Sequence, residues 1–398
     1  MAVFAAAVIS SLTLAQQAPP VQADVTVAPP PMEFPQWKEV SRTEFSAVYE
    51  QRIVSPVTTP WLVNNTYTIK AYVPLRSAPV PVAILLHYWG AADNELEASE
   101  AKMLNDKGIA AVVIPLPYHL GRTPESYKSG QLAITSDISR FSETMEQSVL
   151  DVRRVIDWIQ SRKEFNPDEI AVGGTSLGSL VAILAFGVDE RIKAASFMLG
   201  GVDLAHILWR SSAVTQQRDS LRRRGYTEEK VRLELEPVEP SRFLRKDDPR
   251  PTFVIGAKHD TVIPPESTDQ LIALLNDPEV LWLDTGHYGG FVVQNRILRT
   301  IARFFEDTLN GKDFEAPKTF YSPTIRLGFN YNPDSQLQVA AGLDVWHTGP
   351  HDEGFASILG TPRGIQGFVG YRLSKELAIG ASLTRKRTTW GIFWSIVL

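Results

Sequence analysis

The pentapeptide Gly174-Thr175-Ser176-Leu177-Gly178 has the spacing G-x-S-x-G. In a loop of this kind the central serine sits on a strained strand-to-helix turn. Small residues two before and two after it let strand and helix approach more closely than bulky side chains allow. The helix that follows directs its positive end toward an oxyanion forming at the serine. Both flanks suit this reading: Ile170-Ala171-Val172-Gly173 has the texture of a buried strand, and Leu180-Val181-Ala182-Ile183-Leu184-Ala185 that of a helix. A serine hydroxyl is a poor nucleophile at neutral pH, so such chemistry needs a histidine base, itself oriented by a carboxylate. The plain alternative is a glycine-rich turn in an inert strand–helix–strand unit.

The elements around this loop alternate between strand and helix. Continuous apolar runs at Pro81 to His87, Ile109 to Ile114, Ala194 to Leu199, Thr252 to Gly256 and Val280 to Leu283 read as strands covered on both faces. Helix-like segments lie between them. Glu95 to Lys107 ends at Gly108, and Met145 to Ile159 places Val149, Val152, Val155, Ile156 and Ile159 on one face. This alternation predicts an α/β fold, a mostly parallel sheet with helices on both faces, whose ligands bind beyond the carboxyl ends of the strands.

With the serine loop in this context, residues of about 61–310 resemble the α/β-hydrolase superfamily of serine esterases and lipases. The family's order is serine, acid, histidine. Gly256-Ala257-Lys258-His259-Asp260-Thr261-Val262-Ile263-Pro264 is similar to the family's acid loop, and Asp284-Thr285-Gly286-His287-Tyr288-Gly289 to its histidine loop. The resemblance therefore implies Ser176 as nucleophile, His287 as base and Asp260 as its orienter. Asp203 is the rival acid, and His259 is a neighbour expected to point away. Leu177 and, from the loop His87-Tyr88-Trp89-Gly90, Tyr88 are the expected oxyanion donors, with His87 itself structural. Trp89, Tyr118, His119 and Arg122 are candidates to line the substrate cleft, although Arg122 would equally suit a pairing role. Residues of about 203–250, with Arg222-Arg223-Arg224 on a solvated helix face, are expected to form a small cap. The resemblance implies no metal or organic cofactor.

The 398 residues carry a net charge of −5, with 44% hydrophobic and 21% charged side chains, and this argues against a nucleic-acid partner. With no cysteine, the chain has no disulfide framework, thiolate zinc site, iron–sulfur cluster or cysteine nucleophile. Met1 to Ala15 is apolar and uncharged, like the h-region of a signal peptide, which predicts an exported protein. Residues 16–36 are Pro-rich and predict an extended linker unable to pack, followed by a hydrolase domain over 37–312. From 318 to 398 the pattern changes to period two, as in Ile325, Leu327, Phe329, Tyr331 and again in Trp390, Ile392, Trp394, Ile396. This predicts a module of about five antiparallel strands, resembling those of outer-membrane barrels. Sheet packed on the hydrolase, independent barrel and membrane strands all remain open, with membrane association or homo-oligomerisation as its use. Five strands would be too few for one chain to close a membrane barrel. The function expected is cleavage of small-molecule or lipid-like carboxylic esters through an acyl-enzyme. A peptidase or thioesterase, or a surface adhesin with an inert hydrolase domain, are the alternatives.

Overall fold

Each apolar run of the central region is buried on both sides because it lies inside a nine-stranded sheet. A computed structural model of the chain describes residues 24–318, 320–348, 354–374 and 376–398. The expected export segment, Met1 to Ala15, lies outside the described residues. The sheet begins with β1 (Lys38–Arg42), β2 (Ser46–Val54), β3 (Thr66–Pro74) and β4 (Val80–Leu86). Next come α1 (Glu95–Asp106), β5 (Ala110–Ile114), α2 (Ile138–Gln160), β6 (Phe165–Thr175), α3 (Leu177–Val188) and β7 (Ile192–Met198). Three short helices, α4 (Leu204–Arg210), α5 (Thr215–Arg223) and α6 (Glu228–Leu235), interrupt the rhythm where a cap was expected. The alternation resumes with β8 (Thr252–Ala257), α7 (Pro265–Leu274), β9 (Glu279–Leu283) and α8 (Gln294–Leu309).

The strand order is β1-β2-β3-β5-β4-β6-β7-β8-β9. From β5 to β9 neighbours run parallel, whereas β1, β2 and β3 add an antiparallel wing. Along β4, Val82, Ile84 and Leu86 enter the core shared with α2 and α3, and Ala83 and Leu85 the core shared with α1 and α8. Burial on both faces explains why the parallel strands read as continuous apolar runs.

The Pro-rich stretch departs from expectation. Val25 is buried in the main core, and Arg153 on α2 donates to the carbonyls of Val25 and Val27 at 2.7 and 2.8 Å. The described part of the stretch therefore packs against the α/β domain, because a buried arginine supplies donors to its backbone carbonyls.

The tail also departs from expectation. Six described strands, not five, close into a barrel: β10 (Ile325–Asn332), β11 (Gln336–Thr348), β12 (Gly354–Thr361), β13 (Gly364–Arg372), β14 (Leu377–Leu383) and β15 (Thr388–Val397). Pairing of β15 with β10 completes the ring within one chain. Glycines and small residues in β12 and β13 blur the alternation that marks the other strands.

On α1, Glu97 and Glu100 are buried one turn apart, and burial raises their carboxyls to about 7 and about 8. Both pKa values lie above the unfolded values, so the folded state holds these protons. Their contribution to stability is complete below about pH 4.5 and declines as pH rises through 7 to 8. The Glu97→Gln/Glu100→Gln double variant is expected to flatten this dependence. Its melting temperature, followed by circular dichroism, should exceed that of the parent by several degrees at pH 9 and match it at pH 5.

Candidate active site

Ser176 joins β6 to α3 with φ +55° and ψ −115°, a backbone conformation that L-residues rarely adopt. Two glycines make this turn feasible. A Cβ on Gly174 would lie 2.2 Å from the Gly178 carbonyl oxygen, and one on Gly178 would lie 2.2 Å from the Leu86 carbonyl oxygen. The Ser176 N–H donates to the Met198 carbonyl at 2.9 Å, which fixes the turn against the end of β7.

His287 stands in the loop after β9, with Nε2 2.9 Å from Ser176 Oγ and Nδ1 2.7 Å from Asp260 Oδ2. The N–H groups of Val262 and Ile263 donate to the other Asp260 oxygen, each at 2.8 Å, so the carboxylate cannot rotate away. All three side chains are buried. Such a chain of contacts can pass a proton from the serine hydroxyl to the imidazole while the carboxylate steadies the resulting cation.

The histidine loop is braced by the barrel. The Gly286 N–H and the Thr285 hydroxyl both donate to the main-chain oxygen of Leu398, at 2.8 and 3.0 Å. The Asp284 N–H donates to Ser322 Oγ at 2.6 Å, and Thr324 donates to the Asp284 carbonyl.

The rival residues stand elsewhere. Asp203 caps α4 by accepting from the His206 N–H and pairs with Arg232 at 2.8 Å. The His259 ring lies 6.4 Å from that of His347 in the barrel.

Leu177 opens α3, and the contact of Gly178 with the Leu86 and His87 carbonyls brings the 87–90 loop against the serine turn. His87 Nε2 accepts from the Leu116 N–H at 2.9 Å, so its Nδ1 carries the proton and donates to the Tyr88 carbonyl at 2.8 Å. Burial lowers its pKa to about 4. A neutral His87 thus ties the Tyr88 carbonyl to the buried end of β4.

Of the four residues expected in the cleft, only Trp89 is there, its indole N–H fixed on the Gly130 carbonyl at 2.8 Å. Tyr118 is buried behind it with Leu132 and Ala133. His119 is fully buried with its ring 4.8 Å from that of His87, and burial lowers its pKa to about 3. Arg122 is almost fully buried, donating to Asp151 at 2.7 Å, to Asn64 Oδ1 and to the Asn64 and Pro115 carbonyls. The guanidinium draws the 115–122 segment inward, so these side chains serve the interior instead of a ligand.

The cleft itself is a cavity of about 50 Å³ lined by Trp89, Ser176, Leu177, Leu180, Val262 and Ile263 below and by Leu204, Ile207, Leu208 and Val214 above. The upper residues come from α4 and the turn leading to α5. These four residues lie within the segment expected to form a cap, but none of them was singled out in the sequence. Their signal is the apolar i, i+3, i+4 spacing of Leu204, Ile207 and Leu208 within an otherwise charged segment.

Comparison with known proteins agrees with this architecture. Residues 142–312 match the prolyl oligopeptidase family. An acetyl xylan esterase from Paenibacillus sp. R4 superposes with a TM-score of 0.53 at 21% identity, covering 68% of this chain and 87% of that one. The chain has the α/β-hydrolase fold. An acetyl xylan esterase from Thermoanaerobacterium sp. gives 0.51 at 16% identity, over 69% and 87% of the two chains. The acylaminoacyl peptidase of Pyrococcus horikoshii gives 0.52 at 12%, over 70% and 44%. Two uncharacterized proteins of Mycobacterium tuberculosis are 27% identical over 247 residues, 61% of this chain. The aligned region spans 57% of the length of those curated relatives.

Replacing Arg122 with Met strands the buried Asp151 carboxylate. The variant is expected to lose about 3–5 kcal/mol of stability in urea titrations. Its KM for a soluble ester should stay within about twofold of the parent value, because no cleft contact changes.

Proposed function

We propose that this protein is a serine hydrolase that cleaves carboxylic esters with short, uncharged acyl groups through an acyl-enzyme. The contact of His287 Nε2 with Ser176 Oγ, completed by Asp260, carries the reading. In the first step Ser176 Oγ bonds to the ester carbonyl carbon as its proton passes to His287 Nε2. The carbonyl oxygen becomes an oxyanion, held by the N–H groups of Leu177 and Tyr88. Collapse of this intermediate breaks the carbon–oxygen bond to the alcohol, which leaves with the proton from His287. Water then gives a proton to His287 and attacks the acyl carbon. The carboxylic acid departs and Ser176 recovers its proton.

The preference for a short acyl group rests on the cavity. Its volume of about 50 Å³ borders Ser176 directly, its lining is almost wholly apolar, and no charged side chain enters it. Two of the solved structures that share the fold are named acetyl xylan esterases, which accords with an acyl group of this size. The match to the prolyl oligopeptidase family favours amide bonds as a second reading. A peptide p-nitroanilide assayed beside the ester separates the two.

A fluorophosphonate probe is expected to label the parent and to leave Ser176→Ala unlabelled. Asp260→Asn should lower kcat by about 10⁴-fold by spoiling the histidine tautomer, whereas Asp203→Asn should leave it nearly unchanged. Equal losses in the two aspartate variants would remove Asp260 from this role.

On p-nitrophenyl esters, kcat/KM is expected to peak at acetyl to butyryl and to fall by at least about tenfold at octanoyl, a cost of about 1.4 kcal/mol. Leu208→Ala, which opens the cap side of the cavity, should move the optimum toward longer chains.

A further inference from the structure

The barrel is apolar on the outside along all six strands. Phe329, Val339, Ile358, Val369, Ile379 and Trp394, one from each strand in order, face outward and are 44–56% exposed. The inside carries polar groups beside a small apolar cluster that includes Phe355, Leu359, Phe368 and Phe393. Arg326 pairs with Asp344 through two nitrogens, and Asn330 and Asn332 both donate to Gln366 at 3.3 Å. Apart from Arg372 at the hydrolase end, the formally charged side chains on the described strands are Arg326 and Asp344, both buried. A barrel that folds in water turns polar side chains outward, whereas here the outer face is apolar on every strand and the charged pair is inside.

The two ends differ from the belt and from each other. Aromatic side chains flank the belt, with Tyr331 and Trp390 paired 5.6 Å apart near the far turns and Trp346 and Tyr371 near the hydrolase. Beyond them, the three far turns hold four exposed cations, Arg363, Arg385, Lys386 and Arg387, against a single carboxylate, Asp334. We propose that the barrel inserts in a lipid bilayer, its belt among the acyl chains and its cationic turns against anionic headgroups, leaving the hydrolase at the opposite surface.

The strands are 8, 13, 8, 9, 7 and 10 residues long, near the roughly 9–11 that a tilted membrane strand requires, and with six strands the barrel is narrower than the eight-stranded membrane barrels. Phe355, Phe368 and Phe393 fill the interior, so the module is an anchor and not a pore. A second copy of the chain would cover one flank and leave the rest of the belt in water, whereas lipid surrounds every strand.

The test uses the full chain, diluted from detergent into vesicles of phosphatidylcholine with or without phosphatidylglycerol. Most of the protein is expected to float with either vesicle after a high-salt wash, and acyl-chain-brominated lipid should quench its tryptophan fluorescence. Phosphatidylglycerol should raise the bound fraction at low salt, and Arg385→Glu/Lys386→Glu should abolish that increment. Ile358→Glu and Ile379→Glu, on different flanks, should each reduce flotation by about tenfold. Quenching of the unaltered chain decides between insertion and its absence even if those variants misfold. A detergent-free chain that stays at the bottom of the gradient as monomer or dimer would overturn the proposal, as would binding without quenching or binding released by salt. None of these readouts involves ester turnover, so the anchor and the hydrolase readings stand or fall separately.

Discussion

The close approach of α3 to the ends of β4 and β6 sets the position of everything around the serine. At Gly178 the helix backbone rests against the Leu86 and His87 carbonyls, and at Gly174 the strand passes under the helix with no room for a side chain. This contact holds Ser176 in its strained conformation and sets the start of α3 at the cleft. It also brings the 87–90 loop beside the serine. The strain is sustained by the apolar layers on both faces of the sheet, where Val172, Val181 and Leu184 on one side and Ala171 and Phe305 on the other are fully buried. The fold's largest stabilising term, burial of apolar surface, thereby holds a local geometry that the turn alone would not adopt.

Much of this was legible because parallel strands and pocketed loops leave strong local marks. The apolar runs located β4, β5, β7, β8 and β9 to within a residue or two, and the loops after β8 and β9 stood out by their Asp and Gly-His sequences. What escaped notice was set by long-range pairing. The antiparallel wing went unread although Tyr67, Ile69, Ala71 and Val73 alternate cleanly along β3. The short β1 is exposed throughout and has no apolar pattern to find. Tyr118, His119 and Arg122 misled because a run of polar and aromatic residues after a strand looks the same whether it faces a ligand or folds inward. Only the presence of Asp151, brought in from α2, decides between them.

The two modules solve the burial problem in opposite ways. In the α/β domain, apolar side chains turn inward and most charges outward, with the buried Arg122–Asp151 pair as an exception that its hydrogen bonds sustain. In the barrel, the corresponding ion pair, Arg326 with Asp344, lies inside against Phe355 and Ser357 while isoleucines and tryptophans face out. One chain therefore contains two patterns of burial. The period-two tail announced its strands, but alternation by itself does not say which face is inside.

The bond from Gly286 to the Leu398 oxygen joins residues 112 positions apart along the chain, beside the 113-residue span from Thr285 to the same oxygen. Ser176 and His287 are themselves 111 apart. On a ribosome the serine turn can form long before the loop bearing its base acquires this brace, which requires residue 398 and the strand that carries it. The histidine loop thus takes its outer support from a strand more than a hundred residues further along the chain, a strand held in place by its pairing with β10.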